Sequence, residues 1–339
     1  MLFRWPVLLL TATSLVTCAF SDQRREYEKE PAPDFLFERR PVLAECWKSE
    51  LQAQPGTSRR IVVLSSPPLP YMLTREDRMT VPHAEVPALT ITAEPSAGMN
   101  IRGGDAENWS LRFCAMAEGQ TESEAAEGLQ RITLSRMGGV VSVAGIEFRK
   151  ERPAHGTLVV NAPAHAPIIV NGSYSSVSVY DMRGPVRVST THARVTVLGT
   201  KGQVDATGAV VDFAGDRGQV RLSADAEINL KMTATRFDGT LEAWAQRPVR
   251  LLLPPGFASS IQAVVGRSKD FVCRADICSQ FKRETQHGLY IFTYGREALR
   301  VSNADAASKD VAALAHPALH LRSEGSTVVI DSTDDLPKR

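Results

Sequence analysis

The sequence predicts an all-β protein: a single-stranded β-solenoid, or β-roll, of short strands, preceded by a small β-rich segment with one helix. Three observations predict it. Apolar and polar residues alternate in short runs, as in half-buried strands. The apolar pairs recur every 7–13 residues from residue 177 to residue 251. Glycine recurs on every second turn, at Gly184, Gly202, Gly218 and Gly239.

The repeat itself leaves two architectures open. Strands at this spacing also occur in antiparallel sandwiches. The near-constant step and the glycine on alternate turns favour the solenoid, with about 18 residues and two strands per coil. The apolar pairs that would face inward are Val177/Val179, Val186/Val188, Val195/Val197, Val204/Ala206, Val211/Phe213, Val220/Leu222, Ile228/Leu230, Leu241/Ala243 and Val249/Leu251.

The solenoid interpretation assigns the residue between the two members of each pair to an outward column. One column would contain charges of alternating sign, as neighbouring strands prefer. Its members are Arg187, Asp205, Arg221 and Glu242. The other column would be mostly polar and uncharged, with Ser178, Thr196, Asp212, Asn229 and Arg250.

The N-terminal half does not show the regular spacing of apolar pairs that defines the repeat. Residues 1–19 have the short apolar run of a secretory signal peptide, and 20–41 form a charged linker. Residues 42–150 are expected to form a small β-rich domain. It would contain two strand-like runs around a Gly-Asp turn within 99–119, one helix at about 121–132, and a hairpin that turns at Gly138 and Gly139. Thr121 and Glu124 predict a capping box at the start of the helix.

Residues 151–335 are expected to form the solenoid domain. The proline pair within 251–266 should end the array of strands, because proline cannot donate to a ladder. A disulfide hairpin is expected near 273–278, followed by a strand in 289–295. Residues 319–332 predict a hairpin that turns at Glu324 and Gly325 and forms a final coil.

The five cysteines fit an exported protein. Four of them, Cys46, Cys114, Cys273 and Cys278, lie beyond the signal and permit three pairings. Cys273 and Cys278 are best joined locally, which leaves Cys46 for Cys114. The isolated C-x4-C spacing argues against zinc, which needs four convergent ligands.

Cys18 ends the signal and has two interpretations. The stretch SLVTC resembles a bacterial lipoprotein box, in which the cysteine carries the lipid anchor. The residue before it is Thr17 instead of the usual glycine or alanine. Cleavage near Ala19, which would leave no anchor, is the alternative.

Composition excludes some functions. The 39 basic and 38 acidic residues give a net charge of +1, and aromatic residues make up only 6% of the chain, so nucleic acid is not an expected partner. No stretch of the mature chain predicts a membrane-spanning helix. Standard catalytic and phosphate-binding signatures are absent from the sequence, and no cofactor is expected. His192, in a predicted turn, is interpreted as a solvated side chain.

The order of these segments resembles a known family. The segment MNIRGGDAENWSLRFCAMAEG, a helix rich in Glu and Ala and a Gly-rich array of strands follow one another, and LVVNAPAHAPIIV and VRLLLPPGF flank most of the array. From about residue 90 to 332 this pattern is similar to uncharacterised bacterial envelope proteins known as the putative-adhesin family. The resemblance implies a β-solenoid at the cell envelope, and it implies no known activity and no functional residues.

The expected function is therefore that of a non-enzymatic exported protein of the periplasm or cell surface. It would bind a glycan, a surface polymer or an envelope protein along an extended polar face. The alternative is a polysaccharide-cleaving enzyme, for which Asp205, Asp212, Arg187 and Arg221 are the candidates. Glycoside hydrolysis needs two carboxylates within about 10 Å of each other. Asp205 and Asp212 lie on consecutive strands and should point apart.

Overall fold

The computed structural model describes residues 69–95, 97–146, 148–149, 152–295 and 318–333. The predicted signal peptide and linker, with Cys18 and Cys46, lie outside these ranges. The described chain is mostly β-strand, and its one α-helix, α1, spans Glu122–Arg131. No helix in the described ranges is long and apolar enough to cross a bilayer.

The strands are β1 Tyr71–Pro82, β2 Leu89–Ala93, β3 Ala97–Gly119, β4 Thr133–Met137, β5 Val140–Ala144, β6 Phe148–Arg149, β7 Arg152–Pro163, β8 Ile168–Ser173, β9 Val177–Tyr180, β10 Val186–Thr191, β11 Arg194–Leu198, β12 Gln203–Gly215, β13 Arg217–Met232, β14 Asp238–Ala245, β15 Val249–Leu253, β16 Ile261–Val265, β17 Phe271–Cys273, β18 Lys282–Gln286, β19 Leu289–Tyr294, β20 Leu319–Ser323 and β21 Val328–Ser332.

Helix α1 begins where the sequence predicts. The Thr121 hydroxyl accepts a hydrogen bond from the backbone N–H of Glu124 at 3.2 Å, as an N-cap residue does. The Glu124 carboxylate accepts from the backbone N–H of Gln120 at 2.9 Å, one residue earlier than in a standard capping box. Ala125 is fully buried on the inner side of the helix. The predicted hairpin follows, with β4 and β5 antiparallel and Gly138 at a φ of +59°.

Strand β3 contains both predicted runs of 99–119. Residues 97–104 pair with β7 in increasing register, from Ala97 opposite Gly156 to Gly104 opposite Pro163. Residues 110–117 pair with the same strand in decreasing register, so the chain reverses direction around Asp105. The second run also pairs with β1 along its whole length. The predicted Gly-Asp turn, at Gly104 and Asp105, is therefore present. The backbone keeps strand geometry through it, so β3 is one continuous element.

The repeat strands pair in parallel, which excludes the antiparallel sandwich. They form two ladders that the chain visits alternately. The first ladder consists of β5, β2, β8, β10, 203–208 of β12, 217–224 of β13, β14, β20 and β16. The second ladder consists of 99–102 of β3, β9, β11, 210–215 of β12, 227–232 of β13, β15, β21 and β17.

Register follows the apolar alternation. Val186 lies opposite Ile168 on one side and Val204 on the other, so equivalent residues stack at an interval of 18. Because side chains alternate across a strand, all members of such a column point to the same side. The inward residues of both ladders belong to one hydrophobic core, in which Phe213 and Leu230 are fully buried. The outward residues of the two ladders therefore face away from each other.

The corner glycines have a steric reason. Gly239 has a φ of +130°, and a Cβ there would collide with the carbonyl oxygen of Gly218 in the neighbouring turn. A Cβ on Gly202 would meet the carbonyl oxygen of Arg183 in the same way. Glycine therefore recurs at this corner because successive turns stack backbone against backbone.

The C-terminal part differs from the prediction in three ways. The array does not end at the proline pair, because β16 follows it and joins the first ladder. Strands β20 and β21 do not form a hairpin, because each pairs in parallel with a different ladder. They also lie between β14–β15 and β16–β17, so the chain order and the spatial order differ here. The predicted strand in 289–295 is β19, which pairs with β18 and β16.

One hydrophobic core spans the predicted boundary at residue 150. Strand β2 pairs with β8, and residues 99–102 of β3 pair with β9. Ile91 and Met99 thus lie in the same core as Val170 and Val177. The N-terminal β-rich part and the repeat share their sheet and their interior.

Candidate functional site

The structure places the four predicted charges on neighbouring strands of the first ladder. Register puts Arg187 opposite Asp205, Asp205 opposite Arg221, and Arg221 opposite Glu242. The Arg187 Nε lies 3.9 Å from an Asp205 carboxylate oxygen, and the Arg221 Nε lies 3.4 Å from one of Glu242. All four side chains are substantially exposed, from 40% for Asp205 to 73% for Arg221. Exposed pairs of this kind are screened by water and contribute little to stability.

A second outward column lies beside the charges on the same ladder. Its hydroxyl and amide side chains occupy successive strands, because each residue pairs with the next in register. They are Ser142, Thr92, Asn171, Ser189, Thr207 and Ser223. Asn171, Ser189 and Thr207 are exposed. We call the two outward columns of the first ladder the first face.

The outward residues of the second ladder, which we call the second face, are mostly buried. Register aligns Ser178, Thr196, Asp212, Asn229 and Arg250 in one column, as the alternation predicts. Asp212 and Asn229 have no exposed surface, and Arg250 is 2% exposed. Beside them Tyr180, Leu198, Ala214 and Leu252 form a small apolar cluster separate from the core. The second face is thus closed to solvent over much of its length.

Asp212 is at the centre of a hydrogen-bonded network on the second face. Its carboxylate accepts from Arg194 Nη1 at 2.8 Å and from Asn229 Nδ2 at 2.9 Å. Thr196 Oγ1 donates to the same carboxylate at 3.4 Å, and Arg194 also lies 4.0 Å from Glu227. Burial raises the pKa of Asp212 above its usual value of 3.8, although Arg194 and the Asn229 hydrogen bond act in the opposite direction.

The arrangement separates the carboxylates that an enzyme would need to bring together. Asp205 lies on the first face and Asp212 on the second, with the hydrophobic core between the two ladders. Arg187 and Arg221 accompany Asp205 on the first face and are ion-paired there. Among the described residues, no group of three or more His, Cys, Asp or Glu side chains could hold a metal ion.

The cysteines divide between the described and undescribed parts. Cys273 and Cys278 form the predicted disulfide, with their Cα atoms 5.6 Å apart. It joins the end of β17 to a 3-10 helix, Asp276–Gln280, instead of closing a hairpin between two strands. Cys114, buried on β3, is also disulfide-bonded. Cys46, its predicted partner, and Cys18, the candidate for lipidation, lie outside the described residues.

An exposed aromatic pair stands at the turns that leave the first ladder. The rings of Tyr174 and His192 are stacked, with centroids 4.7 Å apart and planes 8° from parallel. The two residues are 18 positions apart and follow β8 and β10, so they occupy the same place in successive turns. The sequence analysis singled out His192 but not Tyr174. The two residues are one repeat apart, and this spacing could have indicated that they are neighbours in the fold.

An open groove of about 460 Å³ lies at the ends of β5, β2 and β8, and its lining on β8 ends at Ser173, the residue before Tyr174. Its lining residues are mostly small or polar. They are Thr92, Ala93, Glu94, Ser142, Val143, Ala144, Asn171, Gly172 and Ser173. The groove therefore includes one end of the hydroxyl and amide column of the first face, namely Ser142, Thr92 and Asn171.

No family model and no curated protein matches this chain. Three solved structures are similar to it at 9% sequence identity. One is described as a "putative cell adhesion protein" from Clostridium sporogenes; it has a TM-score of 0.28, and the match covers 77% of this chain and 99% of the other. Another, a "putative adhesin" from Bacteroides fragilis, has a TM-score of 0.29 with 78% and 98% covered. A third, a "putative adhesin" from Parabacteroides merdae, has a TM-score of 0.28 with 76% and 95% covered.

Proposed function

We propose that this protein is a non-enzymatic exported protein of the cell envelope that binds a surface polysaccharide along its first face. The observation that carries the proposal is the exposed pair of columns on that face. Polar groups recur there once per strand, at the spacing of about 4.8 Å between neighbouring strands. A long polymer with repeated hydroxyl groups can meet such a surface at many weak contacts whose effects combine.

The repeat is proposed to be a β-solenoid. The alternating visits to two parallel ladders and the stacking interval of 16–18 residues in these turns support this. The stacked glycine corners support it too, because they bring successive turns into backbone contact. A solenoid suits an extended ligand, since each added turn lengthens the same surface without changing its chemistry.

A binding function is favoured over polysaccharide cleavage. Hydrolysis of a glycosidic bond needs two carboxyl groups on either side of the bond. Asp205 and Asp212 face away from each other across the core, and the exposed Asp205 faces Arg187. Asp212, whose pKa is raised, is buried on the second face and does not line the groove.

Location at the envelope rests on the predicted signal peptide and on the disulfide chemistry. The Cys273–Cys278 bond supports an oxidising compartment such as the periplasm or the cell surface. Lipidation at Cys18 and cleavage near Ala19 are both compatible with a location in the periplasm or at the cell surface. They differ in whether the chain is anchored.

The test is binding of the exported chain to immobilised envelope polysaccharides, with the soluble phase assayed for new reducing ends. We expect retention without product release. Thr207→Arg places a long charged side chain in the middle of the first face and should weaken retention. Gln130→Arg, exposed on α1, is the matched control and should bind like the unchanged chain.

Three results would contradict the proposal. Release of reducing ends would show that the chain is an enzyme. Equal loss of binding in both variants would show that added charge, and not the first face, controls retention. Failure of the chain to retain any polysaccharide would show that the proposed ligand class is wrong.

A further inference from the structure

Tyr174 is an exposed aromatic side chain at the turn that follows β8. It is 57% exposed although one of its ring faces is stacked on His192. More than half of the residue's surface therefore stays available for contact with a ligand. An aromatic ring held in this way offers a flat apolar surface beside a polar groove.

The backbone at both aromatic residues is held in an unfavourable conformation. Tyr174 has a φ of +53° and His192 a φ of +56°, a region that is uncommon for residues other than glycine and that histidine adopts more readily than tyrosine. Asparagine or glycine would adopt the same backbone conformation with less steric strain. Strained backbone of this kind concentrates at ligand sites, where the surrounding structure maintains it.

Hydrogen bonds fix the two turns to each other. The Tyr174 N–H donates to the Thr191 carbonyl at 2.8 Å, and the Thr191 hydroxyl donates to the Ser173 hydroxyl at 3.1 Å. The buried Thr190 hydroxyl donates to the Ser175 carbonyl at 3.1 Å. The ring pair is thus in place before any ligand arrives, which reduces the entropy cost of binding.

The groove beside the ring pair has the chemistry of a sugar site. Hydroxyl and amide groups of Thr92, Ser142, Asn171 and Ser173 line it, and these groups both donate to and accept from sugar hydroxyls. Of the lining residues, Glu94 is the ionisable one, and its carboxylate accepts from the Gly145 N–H at 2.5 Å. The negative charge of the Glu94 carboxylate would repel an anionic polymer, so this lining disfavours one.

We propose that this groove and the Tyr174–His192 pair form a subsite for uncharged pyranose units of a polysaccharide, with one unit stacked on Tyr174. The apolar C–H face of a pyranose packs on an aromatic ring, while its hydroxyls meet the groove. The groove lining spans the three neighbouring strands β5, β2 and β8, about 10 Å across at about 4.8 Å per strand, which gives the subsite room for about two units. This inference rests on the proposed function and assigns it a position and a ligand class.

The experiment measures binding of cellohexaose and laminarihexaose, which are neutral, and of hexagalacturonate, which is anionic, by titration calorimetry. We expect a neutral oligosaccharide to bind and Tyr174→Ala to weaken it about tenfold. Tyr174→Phe keeps the ring and should retain the affinity. Tyr71→Ala removes a tyrosine that is 45% exposed on β1 and serves as the matched control.

The outcomes separate this subsite from the proposed function. Neutral binding that Tyr174→Ala leaves unchanged would overturn the subsite while leaving a polysaccharide-binding protein. Preference for hexagalacturonate would overturn the assigned ligand class. If none of the three oligosaccharides binds but the unchanged chain retains a neutral envelope polysaccharide, Tyr174→Ala should reduce that retention, and unchanged retention would overturn the subsite. Absence of binding to any polysaccharide would instead contradict the proposed function.

Discussion

The two outward faces are made from the same repeat but have opposite relations to solvent. On the first face the charges are exposed and paired across neighbouring strands, as Arg221 is with Glu242. On the second face Asp212 and Asn229 are buried and share a network with Arg194. Leu252, also outward, has no exposed surface. The alternation that places a residue outward therefore does not decide whether it meets water.

This difference in exposure changes how much each polar residue contributes to the stability of the fold. An exposed ion pair exchanges contacts with water and has a small net effect. A buried carboxylate has lost its hydration and depends on the donors around it. The second face should accordingly resist substitution, whereas the first face is free to change its side chains to suit a ligand.

The largest expected effect is on an apolar residue of the second face. Leu252→Ala should lower the free energy of unfolding by about 2–4 kcal/mol, because it leaves a cavity in the small apolar cluster of the second face. Ile169→Ala on the first face removes a side chain that is 38% exposed and should cost less than about 1 kcal/mol. Urea unfolding followed by circular dichroism measures both. Similar losses in the two variants would show that the second face is no more buried than the first.

The next effect compares two aspartates. Asp212→Ala should lower the free energy of unfolding by about 2–3 kcal/mol, because the buried Asn229 loses its acceptor and the partly exposed Arg194 loses an ion-pair partner. Asp205→Ala should change it by less than about 1 kcal/mol, since its partner Arg187 remains hydrated. The same unfolding experiment applies. A loss at Asp205 as large as that at Asp212 would contradict the comparison.

Much of this arrangement could be predicted from the sequence. The period of two fixes which residues point outward, and the 18-residue interval fixes which of them are neighbours. Those two numbers give the first pair of each column, Arg187 with Asp205 and Ser178 with Thr196. Later neighbours lie 16 to 21 residues apart, so the remaining members follow from the apolar alternation and not from a constant interval. The capping residue Thr121 and the turn at Gly138 were also predictable, because they depend on local chemistry.

Other features depend on contacts distant in sequence. Nothing in the alternation indicates that Asp212 is buried while Asp205 is exposed. The insertion of β20 and β21 between earlier and later strands depends on non-local pairing that no local pattern encodes. The stack of Tyr174 on His192 needs both the repeat interval and an unusual backbone conformation at each residue.

Protonation offers a further way to distinguish the faces. Because burial raises the pKa of Asp212 above 3.8, the folded chain holds that proton more tightly than the unfolded chain does. The contribution of this group to stability should therefore fall as the pH rises from about 3.8 through the raised pKa. Asp212→Asn does not titrate, so its stability relative to the unchanged chain should increase over that interval.

This pH effect is measured as the difference in unfolding free energy between Asp212→Asn and the unchanged chain at several pH values. Asp205→Asn provides the control for general effects of pH on the exposed carboxylates. A difference for Asp212→Asn that stays constant with pH would show that Arg194 and Asn229 balance the burial of the carboxylate, and a difference that decreases with rising pH would show that they outweigh it.

The smallest expected effect tests the exposed pair directly. A double-mutant cycle on Arg221→Ala and Glu242→Ala should give a coupling energy of about 0.2–1 kcal/mol, because both side chains are more than half exposed. The coupling should decrease further in 0.5 M salt, where screening shortens the range of the interaction. A coupling above about 2 kcal/mol that persists in salt would mean that the first-face charges stabilise the fold. Since a surface that holds its own side chains so tightly has less freedom to engage a ligand, that result would also weaken the case for the first face as the binding surface.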